Sequence, residues 1–358
     1  MIRLISARID SQALRANLAL LKGRASGARI LAVIKANAYG HGLVPVALAL
    51  GEADAFAVAR IEEAAALRAT GIVQPIVLLE GVINAGQLAE AARLKLEMVV
   101  HEPAQIALLE EFRGRHRFGL WLKVDTGMNR LGFRPEGFAT AWARLQALRP
   151  APQILRAMTH LACADEPDSA QTAEQLQRFA ALVRGLDAEL SIANSAALLT
   201  RVDTHVQWVR PGLALYGVSP FAGETGLTRG LKPVMSLMST VLAVREVPIG
   251  EYVGYGARWQ AARASRVAIL AGGYGDGLLR SLPSGTPIMI GGRRAPIVGR
   301  VSMDMLAVDI TDLPPVIPGQ PAQLWGGSLP VEELAAAAGT IPYELLCGVS
   351  QRVPIELV

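Results

Sequence analysis

The stretch RILAVIKANAYGHGLVPVALALGEADAFAVARIEEAAALRATGIVQPIVLLEG, residues 29–81, contains three short apolar runs, RILAVIK, DAFAVAR and PIVLLEG. Longer segments rich in alanine, leucine and glutamate separate them. Those residues favour helix, and in IEEAAALRATG the apolar positions recur at three- and four-residue spacing. The alternation continues outward through the candidate strands LEMVVHE, GLWLKVDTG, ILRAMTHL, LSIANS and HVQWVRPG. Between them lie the helix-like NAGQLAEAARL, EPAQIALLEEF and QTAEQLQRFAALVRGL. Parallel neighbours need crossover connections, so strands alternating with helices imply a parallel sheet. Eight such units in roughly 190 residues fit a closed (β/α)8 barrel better than an open doubly wound sheet. No GxGxxG follows the first run, which counts against a dinucleotide fold.

After about Arg229 the texture changes. Runs such as VMSLMSTVLAVREV, ASRVAILAGGYGDG, TPIMIGGRRAPIVGRVSMDMLAVDI and PAQLWGG are β-branched and broken by Gly and Pro, which predicts a mainly antiparallel β domain. The division is therefore expected at 1–229 and 230–358, with one helix-like segment, VEELAAAAG, near the end. Hydrophobic residues make up 51% and charged residues 18% of the 358, so a sizeable core is expected. The net charge of +4 is spread without a basic run, which argues against nucleic-acid binding. Cys163 and Cys347 lie far apart, without metal-ligand spacing, as suits a reducing compartment. The N-terminus lacks the apolar core of a secretory signal, and no run is long enough to span a membrane, so a cytoplasmic location is expected.

In a barrel the reactive face lies at the C-terminal strand ends. Those positions are occupied by Lys35, His101, Lys123, Asp125, His160, Asn194, Ser195 and Arg210. Two of the five lysines fall in this set, although arginine carries nearly all the positive charge elsewhere. Each residue alone has a bland reading: a solvated charge, a core histidine, or an Asn-Ser helix cap. Together they suit a phosphorylated aldehyde. A desolvated Lys35 amine could form a Schiff base. Ser195 opens SAALLTRV and could meet a phosphate, while Gly212 in RPGLALYG would let backbone approach an anion. Pyridoxal 5′-phosphate meets both demands.

AVIKANAYGHG, KVDTGMNRLGF, MTHLACAD, IANSAA, VRPGLALYG, VGYGARW, AGGYGDG, GRVSMDM and IPYELLC, in that order across essentially the whole chain, resemble the alanine racemase family. The resemblance implies that Lys35 holds pyridoxal 5′-phosphate, with Tyr39, Ser195, Gly212 and Tyr343 at the phosphate and Asn194 in support. It implies that Arg210 faces the pyridine nitrogen. Arginine cannot accept that nitrogen's proton, so the ring would be a weaker electron sink than one paired with a carboxylate. It assigns the α-proton of the D-enantiomer to Lys35 and that of the L-enantiomer to Tyr255, connected to His160 and Arg210, which would stabilise its phenolate. Arg130 and Met303 would hold the substrate carboxylate beside Tyr274. Lys123 matches a lysine that some relatives carbamylate, and Asp304 a supporting residue. The family further implies a homodimer in which Tyr255, Tyr274 and Met303 serve the partner's site. Alternatives on the same residues are a broad-specificity amino-acid racemase, a basic amino-acid decarboxylase, a non-catalytic cofactor carrier and a Schiff-base aldolase.

Overall fold

A computed structural model describes residues 3–358. Its first strand is β1, Ile5–Ile9. Eight more follow as β2 Arg29–Val33, β3 Ala55–Val58, β4 Ile76–Leu78, β5 Glu97–Val100, β6 Gly119–Lys123, β7 Ile154–Met158, β8 Leu190–Ser191 and β9 Trp208–Val209. These eight close in chain order into a barrel, every pair parallel. All eight runs picked out in the sequence supply a strand. β3, β4 and β6 are buried along their whole length, because the helices cover one face and the barrel interior the other.

The floor of the barrel is polar. Arg156 is buried between the rings of Trp121 and Trp208, 4.7 and 5.2 Å from their centroids. It donates to Glu97 at 3.0 Å and to Glu189 at 2.5 Å, while the two indole N–H groups donate to the same carboxylates. Burial alone would raise the Glu189 carboxyl, but bonds from Trp208, Arg156 and Arg29 hold it at about 2. This satisfied cluster seals the end opposite the strand termini that carry the candidate residues.

The second domain contains β10 Met235–Val247, β11 Tyr252–Val253, β12 Trp259–Gln260, β13 Ser265–Ala271, β14 Pro287–Ile290, β15 Arg293–Val298, β16 Met305–Asp309, β17 Pro321–Trp325 and β18 Ile355–Leu357. Its main sheet runs β13-β16-β15-β14-β17-β10-β1-β18, antiparallel except for β1 against β18. The N-terminal strand thus belongs to the sheet of the C-terminal part, and the chain passes through the second domain before it enters the barrel. Two helices, Val331–Ala337 and Pro342–Gly348, stand where one helix-like segment is expected. Proline at the first position starts the second, placing Tyr343 in its first turn.

Candidate active site

Lys35 directly follows Ile34 at the end of β2, as the strand enters an unusual turn. Ala36, Asn37, Ala38 and Tyr39 all have φ between 52 and 54°, four consecutive non-glycine residues in the left-handed region. Each such residue costs roughly 1–2 kcal/mol. The offsetting contacts are specific: the Asn37 side chain accepts from Leu43 N at 2.9 Å, and Glu63 accepts from Asn37 N at 3.2 Å. Gly40 closes the turn at φ 80°, and any Cβ there would run into the carbonyl of Leu346 in the helix that carries Tyr343. Close backbone packing therefore brings Tyr39 and Tyr343 together, their rings 5.7 Å apart.

The turn overlooks a cavity of about 440 Å³ lined by Lys35, Tyr39, Lys123, Arg130, His160, Asn194, Ser195, Arg210, Gly212 and Tyr343, among others. Burial, and then the Arg130 guanidinium, lower the Lys35 amine below its ordinary value. Lys123 falls to about 8 through burial and the charges of Arg130, Arg210 and Lys35. Arg130 sits in a loop ordered by Asp125, whose buried carboxylate accepts from Gly127 N at 2.9 Å and Asn129 N at 3.0 Å.

Arg210 is fixed at the end of β9. It donates to Ser191 Oγ at 2.6 Å, to the carbonyls of Thr159 and Ile192 at 2.7 and 3.1 Å, and to His160 Nδ1 at 3.2 Å. These bonds use its two terminal nitrogens; among the described residues nothing accepts from its Nε–H. Burial lowers Arg210 only to about 10, so it stays a cation. His160 is different. Burial and the surrounding cations, Arg210 first, push it well below its ordinary value, so the ring is neutral with its proton on Nε2. Of the two, Arg210 thus carries the charge and His160 offers an N–H.

Beside Arg210, after the neighbouring strand β8, Asn194 caps the helix Ser195–Thr200 by accepting from Ala197 N at 3.0 Å. Ser195 Oγ accepts from Gly212 N at 2.9 Å and Ala214 N at 3.2 Å. A Cβ on Gly212 would lie 2.6 Å from Tyr39 Oη, so only glycine leaves that hydroxyl its place. Burial raises Tyr39 and takes Tyr343 to about 12, so both hydroxyls keep their protons. Among the described residues neither hydroxyl has a protein hydrogen-bond partner. Two O–H donors without partners, Ser195 and a glycine backbone suit a phosphate, and Lys35 and Arg210 face the same cavity. The residues present therefore fit a phosphorylated aldehyde.

Four sequence-predicted residues lie on the second domain. Tyr255 stands on the turn between β11 and β12, 71% exposed, and Tyr274 and Met303 are 42 and 52% exposed on neighbouring loops. Asp304 accepts from Arg352 at 2.6 Å on the same surface. Within one chain none of the four lines the cavity. Nor do two of the strand-end candidates: the His101 ring contacts the Glu80 carbonyl, and the Asp125 carboxylate is turned to the backbone of the Arg130 loop. Conversely the cavity includes Glu80, Met158 and Cys347, which sequence reasoning missed. The first two end PIVLLE and ILRAM, so the strand-end rule could have found them; Cys347 is brought in by helix packing against Gly40.

Residues 9–220 match the alanine racemase N-terminal domain family and residues 234–357 its C-terminal domain family. The chain is 50% identical over 349 residues to an alanine racemase of Azoarcus sp. (strain BH72), covering 97% of this chain and 98% of that protein. It is 47% identical over 352 residues to that of Shewanella woodyi, with 98% of each covered. The crystal structure of biosynthetic alanine racemase from Pseudomonas aeruginosa superimposes with a TM-score of 0.96 at 45% identity over 100% of both chains. Likeness of this extent in sequence and in fold, over both domains, makes the chain a member of the alanine racemase family, an isomerase that interconverts L- and D-alanine.

Proposed function

We propose that the chain racemises alanine with pyridoxal 5′-phosphate and two proton-moving groups, Lys35 on one face of Cα and Tyr255 of a second copy on the other. When bound, the cofactor withdraws electrons from Cα and so makes its proton removable. Ser195, Gly212, Tyr39 and Tyr343 would hold its phosphate, with Asn194 fixing Ser195. Arg210 would direct its free Nε–H at the ring, held in place by His160, Ser191 and two carbonyls. Arg130 would bind the substrate carboxylate, joined by Met303 and Tyr274 of the second copy and supported by Asp304. Lys123, with its lowered amine, would take up CO₂ and give Arg130 a negative neighbour.

The observation that carries this reading is Lys35, desolvated at a strand end, in one cavity with Arg210 and the partnerless hydroxyls of Tyr39 and Tyr343. The exposed position of Tyr255, Tyr274 and Met303 supports a homodimer with shared sites, since within one chain they reach no cavity group. In this reading the cofactor unit spans 1–229 and the unit that lends the second group spans 230–358, β1 apart. No helix among the described residues is long and apolar enough to cross a membrane, and we place the enzyme in the cytoplasm, where it would supply D-alanine for peptidoglycan or degrade it.

Mixing the inactive variants Lys35→Ala and Tyr255→Phe tests the shared site. A mixed dimer rebuilds one intact site, so activity should return toward a quarter of wild type. Two inactive proteins that stay inactive after subunit exchange would refute the sharing.

A further inference from the structure

One buried side chain grips the left-handed turn without lining the cavity. His41 is 0% exposed, and its Nδ1 lies 2.9 Å from the Tyr39 carbonyl and 3.1 Å from that of Ala38. Both oxygens can only accept, so Nδ1 carries the ring proton and Nε2 is a bare acceptor. Nε2 is itself buried and has no partner. A buried acceptor left unpaired is unfavourable, so an imidazole kept for bulk alone would be worse than leucine or phenylalanine. What it supplies is the N–H. Its two acceptors are carbonyls of left-handed residues, and that of Ala38 also accepts from His41 N at 3.0 Å.

The imidazole is also braced from behind. Its ring lies 4.5 Å from that of Tyr216, whose hydroxyl donates to the carbonyl of Val33, the last residue of β2. Tyr216 is in turn 4.9 Å from the ring of Tyr39. Strand end, imidazole and turn thus form one packed unit with Lys35 at its edge.

We propose that His41 is a positioning residue: its Nδ1–H holds the left-handed turn in shape, and with it the Lys35 amine and the Tyr39 hydroxyl where the cofactor must meet them. The inference rests on the cofactor reading above. It does not make His41 catalytic, since the ring faces the protein and not the reacting atoms.

The test compares cofactor-free wild type, His41→Asn, His41→Leu and His41→Phe in titrations with pyridoxal 5′-phosphate, followed by visible absorbance and paired with thermal unfolding. Asparagine can place a side-chain N–H near the position of Nδ1, whereas leucine and phenylalanine fill the space without a donor. The two donor-free variants should bind the cofactor about tenfold or more weakly while remaining folded, and His41→Asn should stay within about threefold of wild type. If leucine does not fold, phenylalanine, which keeps the stacking on Tyr216, gives the answer. Wild-type affinity in a donor-free variant, or equal losses for asparagine and leucine, would overturn the proposal. Failure of the wild type to take up the cofactor would be a separate result, overturning the cofactor reading and this inference with it.

Discussion

Gly212→Ala tests the packing that joins the phosphate wall to the Lys35 turn. The new Cβ would sit 2.6 Å from Tyr39 Oη and 3.2 Å from Tyr39 Cζ, with the Val33 side chain at 3.6 Å. A carbon–oxygen contact needs more room than the first of these distances, so the tyrosine must move. It cannot do so freely: Tyr39 is 7% exposed and packs against Tyr216 and Tyr343. Overpacking of this kind costs about 1–3 kcal/mol, equivalent to about 5- to 150-fold in cofactor affinity if the moved hydroxyl is one of its ligands. Titration of the cofactor-free protein with pyridoxal 5′-phosphate measures that loss, and denaturant unfolding measures the stability share. The decisive arm is the double variant. Tyr39→Phe removes the clashing oxygen and leaves Cζ as the nearest atom, so Gly212→Ala should cost markedly less stability in that background, a coupling of about 1 kcal/mol or more. Additive losses in the double variant, or cofactor affinity unchanged by Gly212→Ala, would refute the reasoning.

Arg210→Met leaves Ser191 Oγ, His160 Nδ1 and two carbonyls without their cationic donor, and should cost about 3 kcal/mol or more in denaturant unfolding. His41 is held at about 4 by burial, against an ordinary 6.5. The unfolded chain therefore takes up a proton near pH 6.5 that the folded chain refuses until about pH 4. Stability should be intact above pH 6.5, fall across that window by about 3 kcal/mol from this residue, and fall less steeply in His41→Asn. With Lys123 near 8, its neutral fraction rises from about a tenth at pH 7 to about nine-tenths at pH 9. Carbon dioxide adds only to the neutral amine, so native mass spectrometry in bicarbonate should show more CO₂ adduct at pH 9 than at pH 7, and none at this site in Lys123→Arg.

Local pattern carried the barrel. Its strands are buried on both faces and its helices lie between neighbouring strands, so each element is written in contiguous residues, RILAV and AFAV among them. β1 was not legible in the same way, because its partner β10 begins at Met235, far along the chain. Nor was the left-handed turn. KANAY contains no glycine and reads as an ordinary loop; its contacts include one long-range bond, from Asn37 N to the Glu63 carboxylate, and one local grip by the His41 ring just beyond the turn, which no residue propensity encodes. At the site, strand-end position located Lys35, Lys123, His160, Asn194, Ser195 and Arg210 in one cavity, yet also nominated His101 and Asp125, which do not line it. The charge state of His160 could not be read from sequence, since it depends on which cations surround the ring in space.

Exchange of the α-proton in deuterated water, followed separately for L- and D-alanine in Tyr255→Phe, bears most directly on the claim that two different groups serve the two faces of Cα. The account predicts that D-alanine still exchanges, through Lys35, while exchange from L-alanine falls by orders of magnitude. L-alanine exchanging at the wild-type rate in that variant would contradict it.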